Sequence, residues 1–157
     1  IGYATGISPL ISYNYGKSEH NRLKKIHNIS LKSICFFSIV VFLTGQLTAG
    51  NLVSIFSPAG THVYDLAIQG FRLFGFSFLF MGISIYGSAM FTAYSDGKVS
   101  AIISVLRTFV FIIAAVLLLS IIWGIDGVWL SLPVAELLGM LVTVHYFRKY
   151  RNKYNYA

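Results

Sequence analysis

The chain has 157 residues, of which 56% are apolar, 16% aromatic and only 11% charged, and its mean hydropathy is +0.72. A soluble domain carries about 25% charged residues, so these charges are too few to clothe a water-facing surface. Continuous apolar runs, rather than short alternating segments, exclude a β-barrel.

The sequence therefore reads as an all-α integral membrane protein, a polytopic helical bundle. Its net charge is +7, but most of the Lys and Arg lie in two clusters, Lys17 to Lys32 and Arg148 to Lys153, that flank apolar runs. That is how topology signals are distributed, and no nucleic-acid partner is expected. The single cysteine, Cys35, permits no disulfide within the chain and suggests no metal cluster. The first residue is Ile1, inside an apolar stretch without the pattern of a signal peptide; the chain is expected to be the C-terminal piece of a longer protein.

A spanning helix needs about 20 apolar residues. Residues 1–13 are too few and read as the end of a span, with Gly2 and Gly6 suited to close helix packing and Pro9 suggesting a kink. Full spans are expected over about 28–49, 66–94, 99–123 and 128–147. Ser57-Pro58-Ala59-Gly60 marks a loop, and Tyr94-Ser95-Asp96-Gly97-Lys98 and Gly124-Ile125-Asp126-Gly127 mark tight turns. Asn14 and Gly16, behind Tyr13, are expected to supply a left-handed helix cap.

The connections alternate in charge. The first carries Lys17, Arg22, Lys24, Lys25 and Lys32; the second, residues 50–64, carries no Lys or Arg; the third carries Lys98; the fourth carries none; and the tail carries Arg148, Lys149, Arg151 and Lys153. By the positive-inside rule the first and third connections and the C-terminus are cytoplasmic. The basic run after Tyr13-Asn14-Tyr15-Gly16 is expected to meet anionic lipid head groups.

Few residues could carry chemistry. Glu136 lies near the middle of the last span, where a carboxylate costs about 2.5 kcal/mol or more. Pro133, Glu136, Met140 and Thr143 share a helical face that should look into the bundle. Glu136 is either an ion-responsive or cation-attracting group, or a structural carboxylate paired with Arg107 or bonded to backbone freed by Pro133. Arg107, on a stripe with Ser100, Ser104 and Phe111, reads as structural or as cavity-lining.

Tyr86 and Met90, on one face with Gly82, suit either flat organic cations or core packing. The opposite face, with Gly70, Ser77, Ser84 and Ser88, suits close helix approach. Gln69 could line a cavity or bond across helices. The four histidines have no ligand spacing, and there is no catalytic constellation, P-loop or dinucleotide fingerprint. Neither an enzyme, a metal site nor a cofactor is expected.

The run Ser8-Pro9-Leu10-Ile11-Ser12-Tyr13-Asn14-Tyr15-Gly16-Lys17 resembles the motif closing the eighth helix of multidrug and toxic compound extrusion (MATE) transporters. Arg22-Leu23-Lys24-Lys25, Leu52-Val53-Ser54-Ile55-Phe56, Gly70-Phe71-Arg72-Leu73 and Arg107 are similar to later family segments in the same order, as is Gly124-Ile125-Asp126-Gly127-Val128-Trp129 followed by Leu132-Pro133-Val134-Ala135-Glu136. The resemblance covers essentially the whole chain. It implies the C-terminal lobe of a twelve-helix, two-lobe transporter, holding the end of helix eight and helices nine to twelve, with an N-terminal lobe as its missing partner.

By the same resemblance, the complete protein would be a cell-membrane antiporter exporting drugs or amphipathic organic cations in exchange for sodium or protons. The alternatives are a lipid-linked oligosaccharide flippase of the same superfamily, which should line its cavity with more buried cations, or a non-transporting scaffold or remnant. One departure stands out. Several family members carry an acidic cation-site residue within the tenth helix, whereas Phe71 to Tyr94 holds no Asp or Glu.

Overall fold

The computed structural model describes residues 1–156, and among them every regular element is helical. In chain order these are α1 (Gly2–Gly16), α2 (His20–Ser54), α3 (His62–Gly75), α4 (Phe78–Ala93), α5 (Gly97–Val105), a π-helical turn (Leu106–Phe111) and α6 (Ile112–Tyr154). α2 is long and apolar enough to cross a membrane, as is the run Gly97–Tyr154. α3 and α4 qualify together as one span bent by 44°.

Hydropathy locates the membrane-embedded part of a helix, not its ends. α2 starts eight residues before the span expected from 28 and continues past 49 to Ser54. At 1.5 Å per residue its 35 residues reach about 52 Å, against about 30 Å of hydrocarbon. The surplus carries Arg22, Lys24 and Lys25 at its basic end. Phe36, Phe37, Leu43, Leu117, Leu118 and Ile121 are exposed, which suits a surface in contact with lipid. α1 continues through Pro9 as a single helix.

The Gly97–Tyr154 run reverses at Gly124. There φ is +57° and ψ is −130°, a combination accessible essentially only to glycine. Gly127 then lies so close to the Leu119 carbonyl that a Cβ would collide with it. Contacts on either side of the turn are those of an antiparallel hairpin: Arg107 reaches Glu136, and Asp96 reaches Tyr154. The reversal is tied to α3, where Gln69 Nε2 donates to Asp126 Oδ1 at 2.7 Å and Gly70 leaves room for the Trp129 ring.

α4 is the central helix, packed on α1, α2, α5 and α6. Tyr86, Met90 and Phe91 on it are fully buried. Gly87 allows the approach of Thr143 and Phe147 from α6.

The left-handed cap expected at Asn14 or Gly16 falls elsewhere. Asn14 is buried within α1 and donates through Nδ2 to the Leu10 carbonyl at 2.7 Å, and Gly16 is the last helical residue. The residue with positive φ is Ser18 (+58°), beyond which the Glu19 amide reaches back to the Asn14 carbonyl at 3.0 Å. α4 ends the same way, with Ser95 at +60° and the Asp96 amide on Phe91 O at 2.9 Å. Both are Schellman-type closures, built here on serine where glycine is the usual residue.

The basic connections meet at one end of the bundle. Tyr15, Tyr94 and Tyr154 form a ring cluster there, with Tyr94 and Tyr154 stacked at 4.7 Å. Beyond α6 the chain turns at Asn155 (φ +49°) and buries Tyr156, whose hydroxyl donates to Phe147 O at 2.7 Å. Burial pushes the Tyr156 phenol up.

Asp96 caps α5 through the Val99 amide, accepts a hydrogen bond from the Tyr154 hydroxyl, and meets Lys153 Nζ at 3.3 Å. These partners, the tyrosine hydroxyl foremost, hold its carboxyl below the usual aspartate range. A depressed folded-state value stabilises the fold above the unfolded value of about 3.9, and that contribution fades as pH falls through the folded one. Acid unfolding of the wild type should therefore steepen below about pH 4, and Asp96→Asn, which keeps a capping side chain but removes the charge, should flatten that dependence at a cost of no more than about 1 kcal/mol at neutral pH. Thermal unfolding followed across pH checks both.

Candidate functional site

A cleft of about 610 Å³ opens between α1, α4 and the start of the long hairpin. Its walls follow from spacing. Ser8 and Ser12 lie one turn apart on α1. Ser84, Ser88 and Thr92 lie one turn apart on α4, on the face opposite Tyr86. Ser104 and Arg107 come from α5 and the π-turn. The lining is apolar apart from hydroxyls and one guanidinium.

The hydroxyls mostly satisfy one another. Ser88 Oγ lies 2.9 Å from Ser100 Oγ and 2.8 Å from Ser104 Oγ, Thr92 Oγ1 donates to Ser100 Oγ at 2.7 Å, and Ser12 Oγ donates to Ala93 O at 2.9 Å. Ser84 Oγ is the exception, buried on the cleft wall without a partner.

Arg107 sits in the π-helical turn, whose wider register re-aims a side chain relative to a continuous α-helix. Its Nη1 donates to Glu136 Oε1 at 3.2 Å and to Oε2 at 3.3 Å. The Arg107 side chain is 22% exposed, that of Glu136 only 5%. The guanidinium thus borders the cleft while the carboxylate lies behind it on α6. Gly139, one turn beyond Glu136, makes the crossing possible, because a Cβ there would stand 2.9 Å from Arg107 Cγ. Charge at this depth is expensive unless paired, and here each charge has its opposite.

The remaining candidates lie elsewhere. Tyr86 and Met90 are 1% and 0% exposed in the core and do not reach the cleft. Tyr86 packs on His27 and Phe147, with its hydroxyl 3.2 Å from His27 Nδ1. Gln69 is engaged with Asp126 at the opposite end of the bundle from the basic connections. Tyr13 is exposed, with Lys17 Nζ 4.4 Å from its ring centroid. Among the described residues no group of three or more His, Cys, Asp or Glu side chains could hold a metal ion.

Sequence reasoning did not reach Ser8, Ser12 and Thr92 as part of a cleft, nor Gly139. The usable signal was the one-turn repeat of small hydroxyl residues on both α1 and α4. Read helix by helix, it says only that the faces pack closely.

The MatE family model matches residues 1–117. Curated relatives include the multidrug export protein MepA of Staphylococcus saprophyticus, 28% identical over 149 residues, covering 92% of this chain and 31% of that protein. MepA of Staphylococcus haemolyticus is 28% identical over 160 residues, covering 98% of this chain and 33% of that protein.

Among solved structures, the Vibrio cholerae MATE transporter VcmN in its bent form superposes with a TM-score of 0.87 at 19% identity, covering 97% of this chain and 34% of that one. An outward-facing multidrug resistance MATE family transporter of the MOP superfamily superposes with a TM-score of 0.89 at 19% identity, covering 99% and 35%. At that identity the likeness is one of fold. The chain spans about a third of the length of the curated relatives it matches.

Proposed function

Because the chain belongs to the MatE family, we propose that it forms the C-terminal lobe of a secondary-active antiporter. The complete protein exports drugs or other amphipathic organic cations across the cell membrane in exchange for sodium or protons. The family match over residues 1–117, together with the multidrug export relatives, carries this reading. The chain's helices correspond to the end of helix eight and helices nine to twelve, and the basic end of the bundle, including the C-terminus, faces the cytoplasm.

Alternating access proceeds by rocking of this lobe against the N-terminal one. In this lobe the hydroxyl-lined cleft contributes a weakly polar wall. Glu136 neutralises Arg107 there, so the cleft remains compatible with a cationic substrate. No acidic residue lies in the body of α4, so ion coupling rests chiefly on groups of the N-terminal lobe. An oligosaccharide flippase would be better served by unneutralised cations, and among the described residues Arg107 is the one cationic side chain lining this cleft.

The test uses the full-length protein purified into liposomes with ethidium inside. Dye efflux should begin when an inward sodium or proton gradient is imposed and stop when an ionophore collapses it. Efflux indifferent to both gradients contradicts the antiport reading.

A further inference from the structure

A second concavity, of about 340 Å³, runs between α2 and the end of α6 with α4 as its floor. Cys35, Ile83 and Val144 make its apolar part. Arg148 and Arg151 line its mouth, and among the described residues that line it none is an Asp or Glu. The two arginines are three residues apart on α6 and so project from one helical face, on the stripe that Val144 begins. From Val144 to Arg151 the helix rises about 10 Å. The groove is therefore graded along the helix, apolar towards mid-span and cationic at the basic end of the bundle.

We propose that this groove binds one anionic glycerophospholipid, its phosphate held by Arg148 and Arg151 and an acyl chain lying along Cys35, Ile83 and Val144. Charge complementarity selects the head group. Guanidinium forks suit phosphate oxygens, and basic pockets between spanning helices at a membrane interface take anionic lipid head groups. The surroundings select a lipid over a small soluble anion. Cys35 is itself exposed, as are its neighbour Phe36 on α2 and Leu141, one turn before Val144 on α6, so the apolar part opens onto an apolar outer surface that suits contact with lipid. Its volume is within the range of small-ligand sites. Tyr156, buried at the groove, is anchored to Phe147 O at 2.7 Å, so the fold of the chain after α6 shapes the site. The inference depends on the protein spanning a membrane and not on its transport activity.

The test is native mass spectrometry of the full-length protein released from nanodiscs of phosphatidylcholine mixed with phosphatidylglycerol. The wild type should retain phosphatidylglycerol in preference to phosphatidylcholine. Arg148→Gln/Arg151→Gln should reduce that preference about 30-fold, from the loss of two basic contacts. Val144→Trp keeps both charges but fills the apolar part, and should also lose the adduct. Lys149→Gln removes a neighbouring charge outside the groove and should retain it. As a second readout, maleimide labelling of Cys35 should be slowed by phosphatidylglycerol in the wild type and not in the double variant. Equal retention of the two lipids, unchanged retention in the double variant, or equal loss in Lys149→Gln would overturn the proposal.

Discussion

Glu136→Gln should cut gradient-driven efflux of a cationic dye by roughly 10- to 20-fold, and adding Arg107→Gln should restore most of it. Arg107 borders the cleft and Glu136 compensates it from behind. Removing the carboxylate would leave an uncompensated guanidinium at the cleft, which the proposed function makes a wall of the substrate's route. A unit charge about 10 Å away, at an effective dielectric of about 20, is repelled by about 1.7 kcal/mol, which sets the expected factor. The double variant carries no charge at either position and so removes the repulsion.

The two possible roles of the carboxylate therefore separate. If Glu136 itself carried the coupling ion, the double variant would be as inactive as the single one. Arg107→Gln alone should be the least stable of the three, because it leaves a buried carboxylate unpaired, at about 3–5 kcal/mol. Thermal unfolding in detergent distinguishes that loss from a transport defect.

Gly127→Ala should destabilise the protein by about 3 kcal/mol or more, with a matching loss of folded protein in the membrane. Its Cβ would collide with the Leu119 carbonyl, which is backbone and cannot rotate away. Relief requires opening the hairpin, and with it the Gln69–Asp126 hydrogen bond and the Gly70–Trp129 contact. Overpacking a well-packed core costs about 1–3 kcal/mol, and a backbone neighbour that cannot rotate away places this substitution at or above the upper end. Gly124→Ala acts through backbone conformation alone and should cost about 1–3 kcal/mol. Unfolding midpoints of the two variants rank the effects, and Gly127→Ala unfolding with the wild type would refute the close hairpin.

Hydropathy and turn residues made the helical class and the reversal at Gly124 legible, because each depends on local composition. What the sequence concealed depends on distant partners or on backbone register. The bend between α3 and α4 falls at Phe76–Ser77, inside a single apolar run with no proline. The π-turn at Arg107 has no residue signature of its own.

Tyr86 and Met90 share a helical face, as periodicity indicates, but only the positions of α2 and α6 decide that this face is core. Pairing with Arg107 was one of two structural arrangements open to Glu136 from the residues, the other being a bond to backbone freed by Pro133, since both charges lie deep in apolar spans. Choosing between them required knowing that the hairpin brings residues 29 apart in sequence together. The cap at Ser18 shows the same limit at short range. Asn14 and Gly16 carry the usual residue types, yet the hydrogen bonds place the left-handed residue at a serine beyond them.

Antiport is reciprocal, because coupling between two ligands acts equally in both directions. The most direct measurement therefore runs the exchange backwards in liposomes holding the full-length protein. No ion gradient is imposed, a dye gradient is, and sodium and proton movement are recorded. Uphill ion movement opposite to the dye, abolished by dissipating the dye gradient, is the expected result. Dye crossing the membrane with no accompanying movement of either ion would contradict the account.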